Sequence, residues 1–451
     1  MKVVVIDDDP TGSQTVHGCL LLLRWDVDTL QYGLNHPSPF LFILADTRAM
    51  SREDAAARNR EICRCLDAAL SANKQSRHNV LLVSRGDSTL RGHGILEPAV
   101  LATYFGPFDA TLHAPAFLEG GRTTVDGVHR LYGKPVHMSP FAQDHLFGYN
   151  TSNLAEWVEE KSKGIIRAAN VDRLSLKELD EAATSSTGMI ALSNHLQRLT
   201  NNQIVVVDAE QQRQLTALGN VVRSLAGKRR FLFRAAASLV KALANPGSQP
   251  ANARALAGFR RRSSLGELLP GLVLVGSHVP LARQQLKQLL ATDRCRGIEL
   301  PVHQIARAFE GNLPDLTLAS LEQQWLIQLY KTLEDDHTPV LFTSHDELSF
   351  ATRQAKRRFS KKLAQLTGRL AAAVAPQLGY LICKGGTTSQ TLLAEGLSLT
   401  LVQLEGQLLP GLSLVRPLEY GNFWNLPILT FPGNLGDENT LLEAWLQMEN
   451  T

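Results

Sequence analysis

Cysteine is scarce: five residues in 451, too few and too scattered for a disulfide framework. The one close pair, Cys63 and Cys65, is a single residue apart in a helix-like stretch. Structural zinc sites use C-x2-C or wider spacing, with a second pair or histidines. Reduced thiols in a cytoplasmic protein are therefore expected. Long apolar runs are missing as well. A membrane span needs roughly 20 apolar residues, and a run such as 19–23 is far shorter. No signal peptide is expected, because apolar residues 3–6 run straight into three aspartates. The net charge is only +3, too small to imply a nucleic-acid partner. The chain also lacks a G-x4-G-K-[ST] P-loop, a G-x-G-x-x-G fingerprint and the protein-kinase signatures. A nucleotide site here would belong to some other fold.

What is present is ordinary globular composition, 44% hydrophobic and 20% charged, which argues against disorder, collagen and coiled coil. At roughly 150 residues per domain, the length suggests two or three domains. Short aliphatic runs bounded by turns at 3–6, 40–45, 80–84, 110–114 and 204–208 read as buried parallel strands. Helix signals lie between them. Ser51 opens an Ala-, Arg- and Glu-rich stretch to about residue 70, and Ser175 with Glu178 makes a capping box. The rhythm breaks at 246–269, where Pro246-Gly247-Ser248-Gln249-Pro250 and Arg260-Arg261-Arg262 read as a linker. It restarts with strands expected at 272–275, 340–343, 380–383, 399–404 and 428–431. Strands alternating with helices predict an α/β fold with mainly parallel sheets. The domains expected are 1–245 and 270–451.

Ligands of open α/β sheets bind at the carboxyl ends of strands. The first strand ends there in Asp7-Asp8-Asp9-Pro10-Thr11-Gly12-Ser13-Gln14-Thr15. Three adjacent carboxylates repel unless they are solvated, paired or bound to a cation, so a polar ligand or a metal-bound phosphate is a natural explanation. A second strand end carries Arg85-Gly86-Asp87-Ser88-Thr89-Leu90-Arg91-Gly92-His93. Guanidiniums bind carboxylates in a bidentate manner, and Asp and Ser address hydroxyls; the set suits a small hydroxylated acid. Glu119-Gly120-Gly121-Arg122 adds a further guanidinium beside a flexible turn. The stretch 141–149 mixes aromatic and polar groups and reads as packing plus a loop. In the second half, Gly276-Ser277-His278, Lys384-Gly385-Gly386-Thr387-Thr388-Ser389 and Pro432-Gly433-Asn434-Leu435-Gly436-Asp437 each follow a strand. Backbone N–H groups at such turns suit a phosphate. The basic run Arg353, Lys356, Arg357, Arg358, Lys361 and Lys362 lies in a predicted helix and reads as a solvated face.

Taken in order, these motifs resemble the four-carbon acid sugar kinase family over nearly the whole chain. They include Asp8 to His17, Asp87 to His93, Glu119 to Arg122, Phe147-Gly148-Tyr149, Gly276-Ser277, Gly385 to Ser389 and Pro432 to Asp437. The resemblance implies an N-terminal domain for an acid such as threonate, erythronate or a 3-oxo-tetronate. It implies a C-terminal domain for ATP, with Mg²⁺, and an active site in the cleft between them. The 4-hydroxyl would be phosphorylated. By the same resemblance Ser277, Gly385, Gly386, Thr387, Thr388 and Gly433 are the expected nucleotide contacts. Joined to the residue chemistry, it makes Arg91, Arg85 and Arg122 candidates for the substrate carboxylate, with Asp8 and Ser88 also on the substrate. Asp9 or Asp87 would be the base that takes the hydroxyl proton. Closure that excludes water, and a homodimer, are further expectations.

Two other readings fit parts of the pattern. Asp7-Asp8-Asp9-Pro10-Thr11 matches the D-x-D-x-T of haloacid-dehalogenase-type phosphatases, with Asp7 as nucleophile. A non-catalytic sugar-acid or nucleotide sensor could keep the same fold.

Overall fold

The aliphatic runs become strands of mainly parallel α/β structure. The computed structural model describes residues 1–9, 16–277, 279–310, 314–344, 348–350, 352–418 and 423–450. The side chains of 310, 314–317, 353, 354, 356, 357 and 387 are also outside the description. The expectations placed on residues 10–15, on His278 and on the side chain of Thr387 therefore lie outside the described residues. The chain divides into two compact units, Met1–Ser248 and Gln249–Thr451.

In the first unit the strands are β1 (Lys2–Asp7), β2 (Cys19–Leu22), β3 (Phe40–Leu44), β4 (Val80–Arg85), β5 (Ala110–Ala114), β6 (Arg122–Val125), β7 (Val128–Leu131), β8 (Lys134–Pro135), β9 (Asp172–Leu174), β10 (Gln203–Val207) and β11 (Phe231–Ala235). Eight of them run parallel in the order β2-β3-β1-β4-β11-β5-β10-β9. Every residue of β3, β4, β5 and β11 is buried, which is why these strands read as unbroken apolar runs rather than alternations. The short strands β6, β7 and β8 form an antiparallel sheet of their own. The helix Arg52–Ala72 starts where Ser51 accepts from the Asp54 N–H, with Glu53 and Asp54 in its first turn. It buries Ala55, Asn59, Ile62, Cys63, Leu66 and Leu70, a helical period that accounts for one of the close cysteines as core. Burial pushes the Cys63 thiol up to about 12.

In the second unit the strands are β12 (Gly271–Val275), β13 (Cys295–Leu300), β14 (Thr338–Thr343), β15 (Tyr380–Lys384), β16 (Leu401–Leu409), β17 (Leu412–Pro417) and β18 (Ile428–Phe431). Their order is β13-β14-β12-β15-β18-β17-β16. The first five are parallel, and β17 and β16 are antiparallel. The segment read as a linker is largely folded into this unit. Leu256 and Ala257 of the helix Ala253–Ala257 join the core that holds Val273, Tyr380 and Trp445. Gln249 accepts from the Gln407 N–H at 2.6 Å. Arg260 is buried, lies over the Tyr380 ring and pairs with Glu449 at 3.3 Å. Polar and turn residues marked the segment as a break, but its few apolar side chains suffice to dock it. In the basic run, Lys361 is exposed and meets Glu395 at 3.9 Å. Among the described residues, no helix is long and apolar enough to cross a membrane.

Candidate functional site

The parallel register of the first unit aligns the carboxyl ends of β1, β4, β11 and β5. Asp7 stands beside Arg85, and Arg85 beside Ala235. The acidic and basic residues singled out in the sequence meet here. Asp7 is fully buried; its Oδ1 accepts from the Asp9 N–H at 3.1 Å and faces Arg85 at 3.3 Å. Burial drives the Asp7 carboxyl up to about 7, despite the pull of Arg85. Asp8 is also buried. Its Oδ1 lies 2.7 Å from Arg48 and 3.9 Å from Arg85, and its Oδ2 lies 3.7 Å from Arg234. Asp9 is partly exposed and holds the other arm of Arg48 at 2.5 Å. One guanidinium thus bridges two neighbouring carboxylates, which offsets the repulsion that the triple aspartate would otherwise cost.

Asp87 heads the loop after β4. Its Oδ2 accepts from Arg91 Nε at 2.7 Å and from Thr89 Oγ1 at 2.5 Å. Burial alone would raise its carboxyl. Arg48, Arg91 and the two hydrogen bonds outweigh that and hold it well below the usual carboxylate range. The loop is braced from outside: Tyr149 donates to the Thr89 carbonyl at 2.7 Å, and His129 Nε2 donates to the Ser88 carbonyl at 2.7 Å. Ser88 itself is buried. The Arg91 guanidinium lies over the Phe141 ring, 4.8 Å from its centre. The stretch 141–149 thus supports the loop.

Arg122 lies at the start of β6. It donates to the Gly120 carbonyl at 2.6 Å and packs over Phe117. Its Nε is buried without an acceptor, and it makes no ion pair among the described residues. Burial lowers the affinity of this guanidinium for its proton, and it senses Asp87 and Arg91 nearby. Arg85, by contrast, is already engaged by Asp7 and Asp8. The structure therefore gathers Asp8, Asp9, Arg85, Asp87, Ser88, Arg91 and Arg122 about one group of strand ends.

It also adds residues that the sequence reading missed. Arg48 follows β3, and Arg234 is the penultimate residue of β11. Arg234 donates to Glu97 at 2.6 Å and to Ser84 at 2.8 Å. A lone arginine inside the apolar run 231–235 was the available signal. Asp46 has a left-handed backbone, φ 50°, and burial together with Asp9 pushes its carboxyl up to about 7. Beside these groups a narrow recess, with a volume of about 20 Å³, is lined by Asp87, Arg91, His113, Leu154, Trp157 and Arg234.

In the second unit, β12, β15 and β18 are neighbours, so the three glycine turns converge. Gly385 has φ 123°, a region open to glycine, and its N–H donates to the Phe431 carbonyl at 2.8 Å. A Cβ on Gly276 would lie 2.2 Å from Thr388 Oγ1, and one on Gly433 would lie 2.7 Å from Ser277 Oγ. Ser277, Gly385, Gly386, Thr388 and Gly433 therefore share one small region. The helix after Gly385 is short, Gly386–Thr391, and no helix starts until Thr440 after the third turn. That turn is instead fixed by Asp437, which accepts from the Asn439 N–H and from Thr440. Lys384 is fully buried and has no carboxylate partner among the described residues. It donates to the carbonyls of Pro432 and Gly433 at 3.2 Å each, and burial lowers it to about 7. Among the described residues no cluster of three His, Cys, Asp or Glu could hold a metal ion by itself.

Comparisons with known proteins agree with this division. A family model described as a sugar-binding N-terminal domain matches residues 3–243, and one described as a nucleotide-binding C-terminal domain matches residues 272–441. The D-threonate kinase of Salmonella typhimurium is 25% identical, covering 100% of this chain and 99% of that protein. The fold is similar to that of Haemophilus influenzae protein HI1011, with TM-score 0.65, 15% identity and coverage of 99% of this chain and 100% of the other. It is also similar to a Salmonella typhimurium LT2 protein solved under a provisional tRNA-synthase name. That pair has TM-score 0.70, 18% identity and 98% coverage of each chain. With both domain models matched in order, the chain belongs to the four-carbon acid sugar kinase family.

Proposed function

We propose that this chain is an ATP-dependent kinase acting on the 4-hydroxyl of a four-carbon acid sugar: threonate, erythronate or a 3-oxo-tetronate. The observation that carries the reading is the charge pattern at the strand ends of the first unit. Asp8, Asp9 and Asp87 are matched by Arg48, Arg85 and Arg91. Arg122 stands beside them with no carboxylate of its own among the described residues. A small acid would supply that partner, and the D-threonate kinase relative supports the class of substrate.

In this reading Arg122, together with Arg91, holds the substrate carboxylate. Asp8 and Ser88 address its hydroxyls. Asp9 takes the proton of the attacking 4-hydroxyl, being the more exposed carboxylate at the strand end. Asp87 stays ionised at any working pH and orients the acid. Arg85 acts indirectly, by fixing Asp7 and Asp8. In the second unit the backbone at Ser277, Gly385, Gly386, Thr387, Thr388 and Gly433 cradles the ATP phosphates, where close approach needs the missing Cβ atoms. Phosphoryl transfer depends mainly on such positioning and charge neutralisation. Mg²⁺ carried on the phosphates would spread their charge and needs only one or two carboxylates.

The phosphatase alternative needs Asp7 as an accessible nucleophile. Asp7 is instead fully buried, with one oxygen held by the Asp9 N–H and Arg85. The kinase reading is tested by ADP formation across a panel of four-carbon acids. One or more acids should turn over, and Asp9→Asn should lower kcat about 10²–10⁴-fold. Full turnover by Asp9→Asn would remove Asp9 from the role, and a silent panel with acid binding intact would favour a sensor.

A further inference from the structure

Lys384, the last residue of β15, ties together all three glycine turns of the second unit. Its carbonyl accepts from the Gly276 N–H at 3.1 Å, and the N–H of the next residue, Gly385, donates to the Phe431 carbonyl at 2.8 Å. Its ammonium reaches into the third turn and donates to the Pro432 and Gly433 carbonyls at 3.2 Å each. The register explains that reach, because Lys384 stands between Val275 of β12 and Phe431 of β18. Nζ lies over the Phe431 ring, 3.7 Å from its centre. All of these partners are neutral. A buried ammonium is costly without a counter-charge, and Lys384 is fully buried with none among the described residues.

The two carbonyls matter for what stands behind them. A trans peptide sets its C=O and N–H on opposite sides. Turning the Pro432 and Gly433 carbonyls towards Nζ therefore turns the N–H groups of Gly433 and Asn434 away from it. Neither N–H donates to a protein acceptor among the described residues. Two successive N–H groups pointing outwards make an anion-binding concavity. This turn also comes close to the first one, since a Cβ on Gly433 would lie 2.7 Å from Ser277 Oγ.

We propose that Lys384 is a positioning residue of the nucleotide site: its ammonium holds back the Pro432 and Gly433 carbonyls so that the Gly433 and Asn434 N–H groups face the phosphates, whose charge is the counter-charge it lacks. The proposal rests on the nucleotide role of these turns and deepens it. It makes phosphate binding depend on a proton. Burial lowers the ammonium to about 7, and nearby phosphate charge favours its protonated form. Binding above that pH therefore takes up a proton, and affinity falls as pH rises. The other titratable groups on the elements around it do not change between pH 7.5 and 9. Burial pushes the Cys383 thiol up to about 12. Asp437, in the third turn, is held below its ordinary value by bonds from the Asn439 N–H and Thr440.

The test is calorimetry on the full chain with ADP as the probe, from pH 7.5 to 9, in two buffers of different ionisation enthalpy. The wild-type Kd should rise about threefold to tenfold over that range, with net proton uptake on binding at pH 8. Lys384→Met keeps the length of the side chain and removes its charge and donors. It should weaken ADP at least about fivefold at pH 7.5 and abolish both the pH dependence and the proton uptake. A merely structural role would weaken binding equally at every pH and leave the wild type without proton uptake. If Lys384→Met does not fold, as judged by its melting transition, the wild-type profile and proton uptake still decide. A flat wild-type profile, or a variant that keeps the wild-type slope or affinity, overturns the proposal. An acid phosphorylated by an enzyme whose ADP profile is flat would overturn it and leave the kinase reading standing. The expected ADP profile with no acid of the panel phosphorylated would uphold Lys384 and sink the kinase reading.

Discussion

Replacing Arg234 by Met should unfold the first unit more easily by about 4 kcal/mol, the scale on which one partner of a buried pair is missed. The estimate follows from burial. Arg234 and Glu97 have side-chain exposures of 8% and 3% and meet at 2.6 Å. Without the guanidinium, Glu97 keeps only the Thr47 hydroxyl, Ser84 loses its donor, and Asp8 loses a cation 3.7 Å away. For a unit of about this length, 2–4 °C per kcal/mol makes the expected fall in melting temperature about 10 °C. The second substitution sharpens the argument. Glu97→Gln on the Arg234→Met background keeps an acceptor for Thr47 and removes the stranded charge, so it should recover at least about 2 kcal/mol. The loss in Arg234→Met should also shrink at pH 5. Burial already holds the Glu97 carboxyl above its ordinary value, and a protonated Glu97 no longer strands a charge. Thermal and denaturant unfolding of the full chain measure all three. A loss below about 1 kcal/mol for Arg234→Met, or a double variant weaker than the single, would refute the reasoning.

Other consequences can be checked in the same way. The Asp46 carboxyl titrates near 7 in the folded chain, above its unfolded value near 4, so its contribution falls as pH rises between them. Asp46→Asn, whose side chain tolerates the positive φ, should therefore gain on wild type by more than about 1 kcal/mol in unfolding free energy between pH 5 and pH 8. An unchanged difference would contradict that. His195 sits between Asp172 and Glu178 at 2.9 and 2.8 Å, and its bonds to both carboxylates raise it to about 9. Its stabilisation is full below the unfolded value near 6.5 and is lost as pH rises through 9. Because the site is partly exposed, His195→Ala should cost no more than about 1 kcal/mol at pH 6 and nothing measurable at pH 10. Gly385→Ala should weaken ATP binding at least about tenfold, because φ 123° is strained for alanine and Thr388 Oγ1 would lie 2.9 Å from the new Cβ. Wild-type nucleotide affinity in that variant would remove this turn from the site.

Some of this was legible in the sequence because the physics is local. Parallel strands buried on both faces read as aliphatic runs, so β1, β4, β5 and β18 were visible within a residue or two. Ser51 and Ser175 announced helices through side-chain caps. Of the hairpin of β16 and β17 only 399–404 was read as a strand and β17 was missed, although Gly411, with φ 79°, marks the turn between them. The segment 246–269 was misleading, because its prolines, glycines and arginines stand out more than Leu256, Ala257 and the partly buried Ala251, Ala253 and Phe259 that dock it. The acidic end of β1 and the Asp87 loop were legible as charge at strand ends. Arg48 and Arg234 were not, because their meaning depends on partners 39 and 137 residues away.

The central claim is that the phosphoryl group ends on the terminal hydroxyl of a four-carbon acid. ³¹P NMR of the product formed from ATP and whichever acid of the panel turns over tests it most directly. A phosphate on carbon 4 is a primary ester, so its phosphorus should couple to the two methylene protons of that carbon. Coupling to a single proton, the mark of a secondary ester, would contradict the account, as would free phosphate with no ester formed.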